Sequence, residues 1–400
     1  MPSVTGGQAA VETSDVLLSF GEETAWGTKP NTAFQALRIT GESLTGQKQR
    51  GRASEITKVK QRAKGFTNQE SAGGGINLAL SFGTFDSLFA AVMGNDWSTP
   101  LAINGASADI STVAAGNKLT STTANKFSAI VVGQWIRLLG FTANGGANNG
   151  FARVIAKTSN QDITLAGKTV TDETPTGTNA KIRGSMLVND NQTQSRFLQK
   201  QLGTAGFLHY PGSIISGASL TGGVGNAFTG SFQAICQDEV RSAVNGSTGA
   251  VLDAPTGGFH DPVGNFGGVW LDDAPLQANV QSTSVNMTRE GAEMDYAMGS
   301  PKAVGARWGM FGVDGDATLF FKDFDLWTRA KAETQGRFAF LTRDDAGNGY
   351  IFEHLGAILL NPQVVAGGPG QAVAVQYTIE GNPSGDAVNR TFAIHRLPIA

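Results

Sequence analysis

The chain has 400 residues, with 30 Lys and Arg against 33 Asp and Glu, and a single cysteine. That length predicts two or three domains at roughly 150 residues each. The near-neutral charge excludes a polycationic nucleic-acid coat, and one cysteine excludes an intramolecular disulfide framework. No apolar run approaches the roughly 18 residues of a membrane span, and the opening "MPSVTGGQAAVETSDVLLSFGEE" lacks a basic start before an apolar stretch. A product made in a cytoplasm and not secreted is expected. Its 53 glycines, with frequent Thr and Ser, suit a β-rich chain with many turns.

Residues 1–30 read as an N-terminal arm. From Gln47 to Gly75 a long polar segment carries Lys48, Arg50, Arg52, Lys58, Lys60, Arg62 and Lys64 against only Glu55 and Glu70. This pattern predicts a hairpin that reaches an acidic or polar surface on a neighbouring molecule. With only Phe66 nearby, it lacks the aromatics that stack on nucleic-acid bases. "GINLALSF" then alternates Ile76, Leu78, Leu80 and Phe82, a strand with one buried face. After Phe82 the period changes. Phe85, Leu88, Phe89 and Val92 fall at helical spacing, with Thr84 as N-cap and Gly94 as stop.

Residues 98–190 read as an independent small β domain, with strands in "SAIVVGQWIRLLGF", "NGFARVIAKT" and "QDITLAG". Trp135, Ile136 and Leu138 are expected to anchor its own core. "NAFTGSFQAIC" resumes the alternation through Phe228, Phe232, Ala234 and Cys236, which makes Cys236 a buried structural thiol. A linker is expected over 246–269. Beyond it Asp323 takes a helix cap position, Phe324, Trp327 and Lys331 follow at helical spacing, and "TRDDAGNGY" reads as a hairpin turn. "AVAVQYTIEG" closes the series through Val373, Val375, Tyr377 and Ile379.

Parts of this series occur twice. "INLALSFGTFDSLFAA" aligns on "GDATLFFKDFDLWTRA" with Leu80 on Leu319, Phe82 on Phe321, Phe85 on Phe324 and Asp86 on Asp325, all at the offset that separates 82 from 321. "SRFLQ" resembles "GRFAF", and "GGVGNAFTGSFQA" resembles "GGPGQAVAVQYTI", with Arg196 on Arg337 and Phe232 on Tyr377 at a much smaller offset. The single jump places an extra segment inside the first copy. The chain thus reads as two related units, the first carrying an insertion, because closure entropy rises only slowly with loop length.

Chemistry is scarce. His209, His260, His354 and His395 form no zinc-ligand spacing. The pairs Asp272–Asp273 and Asp344–Asp345 invite a hydrolase with two facing carboxylates, but neighbours on a strand point to opposite faces and both pairs read as turns. The glycine clusters precede strands rather than helices, so they cradle no phosphate. No catalytic residue, metal or cofactor is expected.

Taken together, "ALRITGES", the polar loop ending "SEITKVKQRAKG", "GGGINLALSF", "FDSLFAAVMGNDW" and the later "GDATLFFKDFDLWTRA", "RFAFLTRDDAGNGYIFEHLGAIL" and "AVAVQYTIEG" resemble the tail tube (major tail) proteins of long-tailed bacteriophages. The resemblance covers about residues 31–97 and 195–390. It implies a mainly β fold: two tandem tail-tube β-sandwich units, each with a short flanking α-helix, plus the inserted β domain on the outer surface. The first unit takes 31–97 and 191–245, and the second 270–400. It further implies homo-oligomeric rings stacked into a tube of the virion tail, around a channel that conducts DNA without specific binding. The tape-measure protein lies inside, tail-terminator and distal tail proteins sit at the ends, and no membrane is involved. The basic residues Lys48 to Lys64 belong to an inter-ring loop, with Thr288–Trp308 as the second unit's counterpart. Two units per chain imply trimeric rings with pseudo-sixfold symmetry, and free sliding of DNA implies a polar and acidic lumen. A second reading makes the chain a virion surface adhesin whose inserted domain stacks host glycans on Trp135 and Phe141.

Overall fold

Alternating sequence becomes strand wherever one face can be buried, and here almost every such stretch does. A computed structural model describes residues 11–400 except 57, 178, 277–278, 367 and 387–388. The first part carries β1 (Val16–Glu22), β2 (Gln35–Ala36), β3 (Ile39–Glu42), β4 (Thr45–Gly51), β5 (Phe66–Ala79) and helix α1 (Asp86–Met93). Next come β6 (Leu101–Asn104), β7 (Ile110–Val113), β8 (Lys118–Ser121), β9 (Trp135–Leu139), β10 (Gly150–Ser159), β11 (Asp162–Ala166) and β12 (Lys181–Val188). The first part then resumes with β13 (Arg196–Leu202), β14 (Phe207–Gly223), β15 (Asn226–Cys236) and β16 (Val240–Ser242).

The second part opens with β17 (Phe266–Leu271), β18 (Ala274–Pro275), β19 (Val280–Glu290), β20 (Glu293–Asp295), β21 (Gly305–Arg307) and β22 (Met310–Phe320). It continues through helix α2 (Asp325–Lys331), β23 (Gly336–Arg343), β24 (Gly349–Val365), β25 (Ala374–Asn382) and β26 (Phe392–Leu397).

Pairing in the two parts follows one order. In the first, β1 pairs with β13, β13 with β14, β14 with β15, β15 with β5, and β5 with β3 and β4. In the second, β17 pairs with β23, β23 with β24, β24 with β25, β25 with β22, and β22 with β19. All these pairs are antiparallel. A register shift between Ile39 and Gly41 in one part matches a shift between Val280 and Ser282 in the other. The parts join where β14 pairs with β19, from Gly217 opposite Thr288 to Gly223 opposite Ser282.

The expected helix stop is present: Gly94 adopts φ 62° and donates its N–H to the Ala90 carbonyl. Thr84 is no cap; its hydroxyl accepts a hydrogen bond from Ser81 at 2.8 Å and Phe85 stands at the cap position. Asp323 accepts the Asp325 N–H at 3.1 Å, but it too stands one residue before the cap position, which Phe324 holds. Among the repeated strand–helix residues, Leu80, Phe82, Phe85 and Leu319 are buried, while Phe321 is only partly covered. Phe324 departs from the expected core role and is 62% exposed. The reason is position: α1 lies between its own sheet and the second part, whereas α2 has only its own sheet beneath it.

Strand β1, within the expected arm, is an integral strand beside β13. The expected linker likewise contains the start of β17, and its Leu252 and Phe259 bridge to Gln35 and Ser81. The inserted segment forms one antiparallel sheet in the order β6, β12, β9, β10, β11, β8, β7, with Phe127, Ile136, Leu138 and Ile163 in its core. Trp135 is not part of that core. It points the other way, into a cluster with Trp270, Leu341, Ile351 and Leu397 of the second part.

A buried polar knot ties this junction. The Glu353 carboxylate accepts the Trp135 indole N–H at 3.1 Å and the His395 Nε2–H at 2.9 Å, and lies 3.0 Å from Arg153 Nε. Arg153 also reaches Asp273, and the Trp135 backbone N–H donates to His395 Nδ1, which fixes the neutral tautomer of that ring. Burial alone pushes the Glu353 carboxyl up; the His395 hydrogen bond and the Arg153 charge outweigh it and hold it below its ordinary value. Replacing Glu353 by Ala strands two buried donors and the Arg153 charge, and the thermal and urea midpoints should report a loss of about 3–5 kcal/mol. The exposed pair between Arg307 and Glu293 is the control: Arg307→Ala should cost under about 1 kcal/mol.

Candidate functional site

Through the β14–β19 seam the two parts form one continuous sheet of β4, β5, β15, β14, β19, β22, β25 and β24. Strict alternation gives it two unlike faces. One turns Ile76, Leu220, Phe232, Val285, Ala317 and Tyr377 into the core, all at most 2% exposed. The other presents Asn77, Gln233, Asn286, Asp314 and Glu380 to solvent, with Ser219 hydrogen-bonded to Ser231 and Ser284 to Asp316 across neighbouring strands. Among the described residues of the eight strands, this solvent face carries no Lys or Arg over the paired stretch. Burial pushes the Asp314 carboxyl up, and the charges of Glu380, Glu290 and Asp316 add to that, against a hydrogen bond from the Gly381 N–H.

Both outer edges of the sheet are open. Among the described residues, strands β3 and β4 pair only with β5, and past Ala357 the far half of β24 pairs only with β25. Val364 and Val365 on that edge are 44% and 57% exposed. An uncovered strand edge is a template for another chain.

The basic segment rises from the base of β4. Lys48 pairs with Glu70 at 2.7 Å and Arg50 donates to the Gly65 carbonyl at 2.7 Å. Between them and Phe66, Arg52, Lys58, Lys60, Arg62 and Lys64 stand in an irregular loop with Ile56 and Val59 exposed. The corresponding stretch of the second part is a short hairpin of β20 and β21 folded back on the first part. There Tyr296 donates to the Glu70 carbonyl, the Pro301 carbonyl accepts the Glu70 N–H, and Lys302 meets Asp238 at 2.6 Å.

The residues weighed for hydrolysis are not gathered. His260 is fully buried beside the Thr342 hydroxyl, and Asp344 closes the β23–β24 turn by accepting from Asn348. Asp272 and Asp273 occupy left-handed positions in a turn and hold Arg329 and Arg153. Cys236 is buried with its Sγ beside Ser213, and burial raises the thiol pKa to about 12. Trp135 and Phe141 are buried too, so neither offers a face to a sugar. Among the described residues no group of three or more His, Cys, Asp or Glu could hold a metal ion, and no helix is long and apolar enough to cross a membrane. The open edge at Val364 and Val365 was not singled out in the sequence. Its signal was the run "NPQVV", which continues β24 past the length that β23 and β26 cover.

No curated protein matches this chain. The family described as "Phage tail tube protein" matches residues 13–382, which takes in both parts and the inserted sheet. Proteins of this structural, non-enzymatic family form stacked homo-oligomeric assemblies in the virion tail. The chain belongs to the phage tail tube protein family.

Proposed function

We propose that each chain folds two tube units, and that three chains close into a pseudo-sixfold ring whose stacked copies enclose a DNA-conducting channel. The observation that carries this reading is the eight-strand sheet with one pairing order used twice and both outer edges open. At its middle, the seam between β14 and β19 is what an edge-to-edge contact between units looks like. The same contact made between β24 of one copy and β3–β4 of the next closes a ring and leaves no edge uncovered.

Width favours three copies. At about 4.8 Å per strand, three eight-strand sheets give a barrel about 37 Å across before strand tilt widens it, whereas two give about 24 Å, which side chains on both walls largely fill. The polar, cation-free face then lines the channel. Phosphates passing such a wall meet no lysine or arginine to replace their counterions, so DNA slides instead of sticking. The segment with Lys48, Arg50, Arg52, Lys58, Lys60, Arg62 and Lys64 reaches the adjacent ring, where opposite charge sets register. The inserted sheet decorates the outside. During infection the tube leads DNA toward the host, with the tape-measure protein inside it beforehand and terminator and distal tail proteins at its ends.

Electron microscopy of the purified protein tests this reading, with averaged end-on views and native mass of single rings. Three chains around a six-lobed wall are expected. Rings of six chains, or a protein that stays monomeric at high concentration, would overturn it.

A further inference from the structure

The two helices stand at matching places in the two parts, yet only one is covered. On α1, Phe89 lies 6.3 Å from the ring centre of Tyr350 and 6.0 Å from that of Phe352, both on β24. Asp86 at its start accepts the Tyr350 hydroxyl and pairs with Arg396 of β26 at 3.1 Å. Leu88 to Met93 are all buried. On α2 only Ala330 is buried. Phe321, Phe324 and Trp327 stack edge to face along it, with Phe324 mostly in solvent. Beside them a cavity of about 180 Å³ opens between Leu276, Leu319, Phe321, Leu326 and Tyr377. Asp325, which the repeat aligns with Asp86, is exposed and holds no ion pair with any described residue.

What covers α1 has its own counterpart. Strand β26 flanks the first half of β24, with Ile394 opposite Phe352. Strand β16 flanks the first half of β14 in the same way, with Arg241 opposite Leu208. Residues opposite each other on antiparallel strands share a face, so Leu208 and Arg241 form the surface corresponding to Phe352 and Ile394. That surface is also bare: Leu208 is only half-buried, Val244 just past β16 is 71% exposed, and Arg241 is exposed with no ion pair to any described residue. Arg241 sits two positions short of the place Arg396 holds, a gap of about 7 Å along a strand, which an extended arginine bridges.

We propose that α2 of one copy is covered by β14 and β16 of a second copy, Leu208 entering beside Phe324 and Arg241 pairing with Asp325. This rests on the ring reading above and adds to it a second contact, outside the channel wall, that sets which faces of two copies meet. Apolar exposure on both surfaces and opposite charge at their centres select a second copy as the occupant.

Charge exchange in the full-length protein tests the pairing. Asp325→Arg and Arg241→Glu, each alone, should cut the yield of sedimentable tubes at least tenfold, and the double variant should restore it to within about twofold. The thermal midpoint of the unassembled protein should be unchanged in all three, since both residues are exposed. Single variants that assemble like the parent, or a double variant no better than either, would refute the contact while leaving the ring intact. A parent protein that forms no rings would remove the reading beneath it.

Discussion

Lowering the pH from 7.5 to 5 is expected to destabilise the unassembled subunit steeply, although its net formal charge is only −3. All four histidines are held neutral by the fold. Burial lowers His260 to about 4 and His354 to about 3. It also lowers His395, against the opposing Glu353 hydrogen bond, and His209, which lies near Lys29. In the unfolded chain each imidazole takes up a proton below about pH 6.5. The unfolded state therefore binds more protons, and stability falls with falling pH. Stability is complete above about 6.5 and is lost as pH drops toward the folded values. Once the unfolded ring is protonated, His260 and His354 each contribute about 1.4 kcal/mol per pH unit. His354 is the cleanest probe, because neither ring nitrogen has a hydrogen-bond partner among the described residues and Phe338 and Phe392 flank it. His354→Leu should flatten the dependence of the urea midpoint on pH, and an unchanged slope would contradict this assignment.

Placing a charge on the open edge of β24 should abolish rings while sparing the fold. At the internal seam Leu220 lies opposite Val285 and both are buried. The matching pairing order puts Val364 of one copy opposite Leu44 of the next. Val364 is 44% exposed in the single subunit, so Val364→Asp should leave the thermal midpoint within about 1 kcal/mol of the parent. On closure that carboxylate enters an interface without a partner, at several kcal/mol per contact; about 4 kcal/mol is about a thousandfold in association. Sedimentation should show monomers only. Leu220→Asp, the same change at the internal seam, should instead unfold the chain. Tubes formed by Val364→Asp at the parent's concentration would mean that closure does not run through this edge.

Much of this fold was legible because alternation reports burial on a single face. Phe228, Phe232, Ala234 and Cys236 were all expected inside and are inside. Glycine at 94 marked a helix end for a steric reason that needs no tertiary context. What alternation cannot report is what lies across from a face. Phe85 and Phe324 occupy the same place in one repeated phrase, yet one is fully buried and the other mostly exposed. Their difference comes from a neighbouring part of the chain. Trp135 was read into the core of the inserted sheet, but the strand turns that side chain onto the second part, where Glu353 takes its N–H. Partners from residues 218 and 260 positions away left no local trace. The polar face was half legible: alternation predicts its outward residues, whereas the bare edge at Val364 and Val365 depends on how every strand around it pairs.

Strand β12 belongs to two sheets at once. Lys181 to Gly184 pair with β6 and β9 of the inserted domain, and Ser185 to Val188 pair with β26. A domain strung on a loose tether swings and averages out its direction. One that shares a strand with its support is a stiff lever, so a sideways push on it is delivered as torque to the second part. Whatever is grafted onto the far turns of that domain will keep one bearing relative to the chain that carries it.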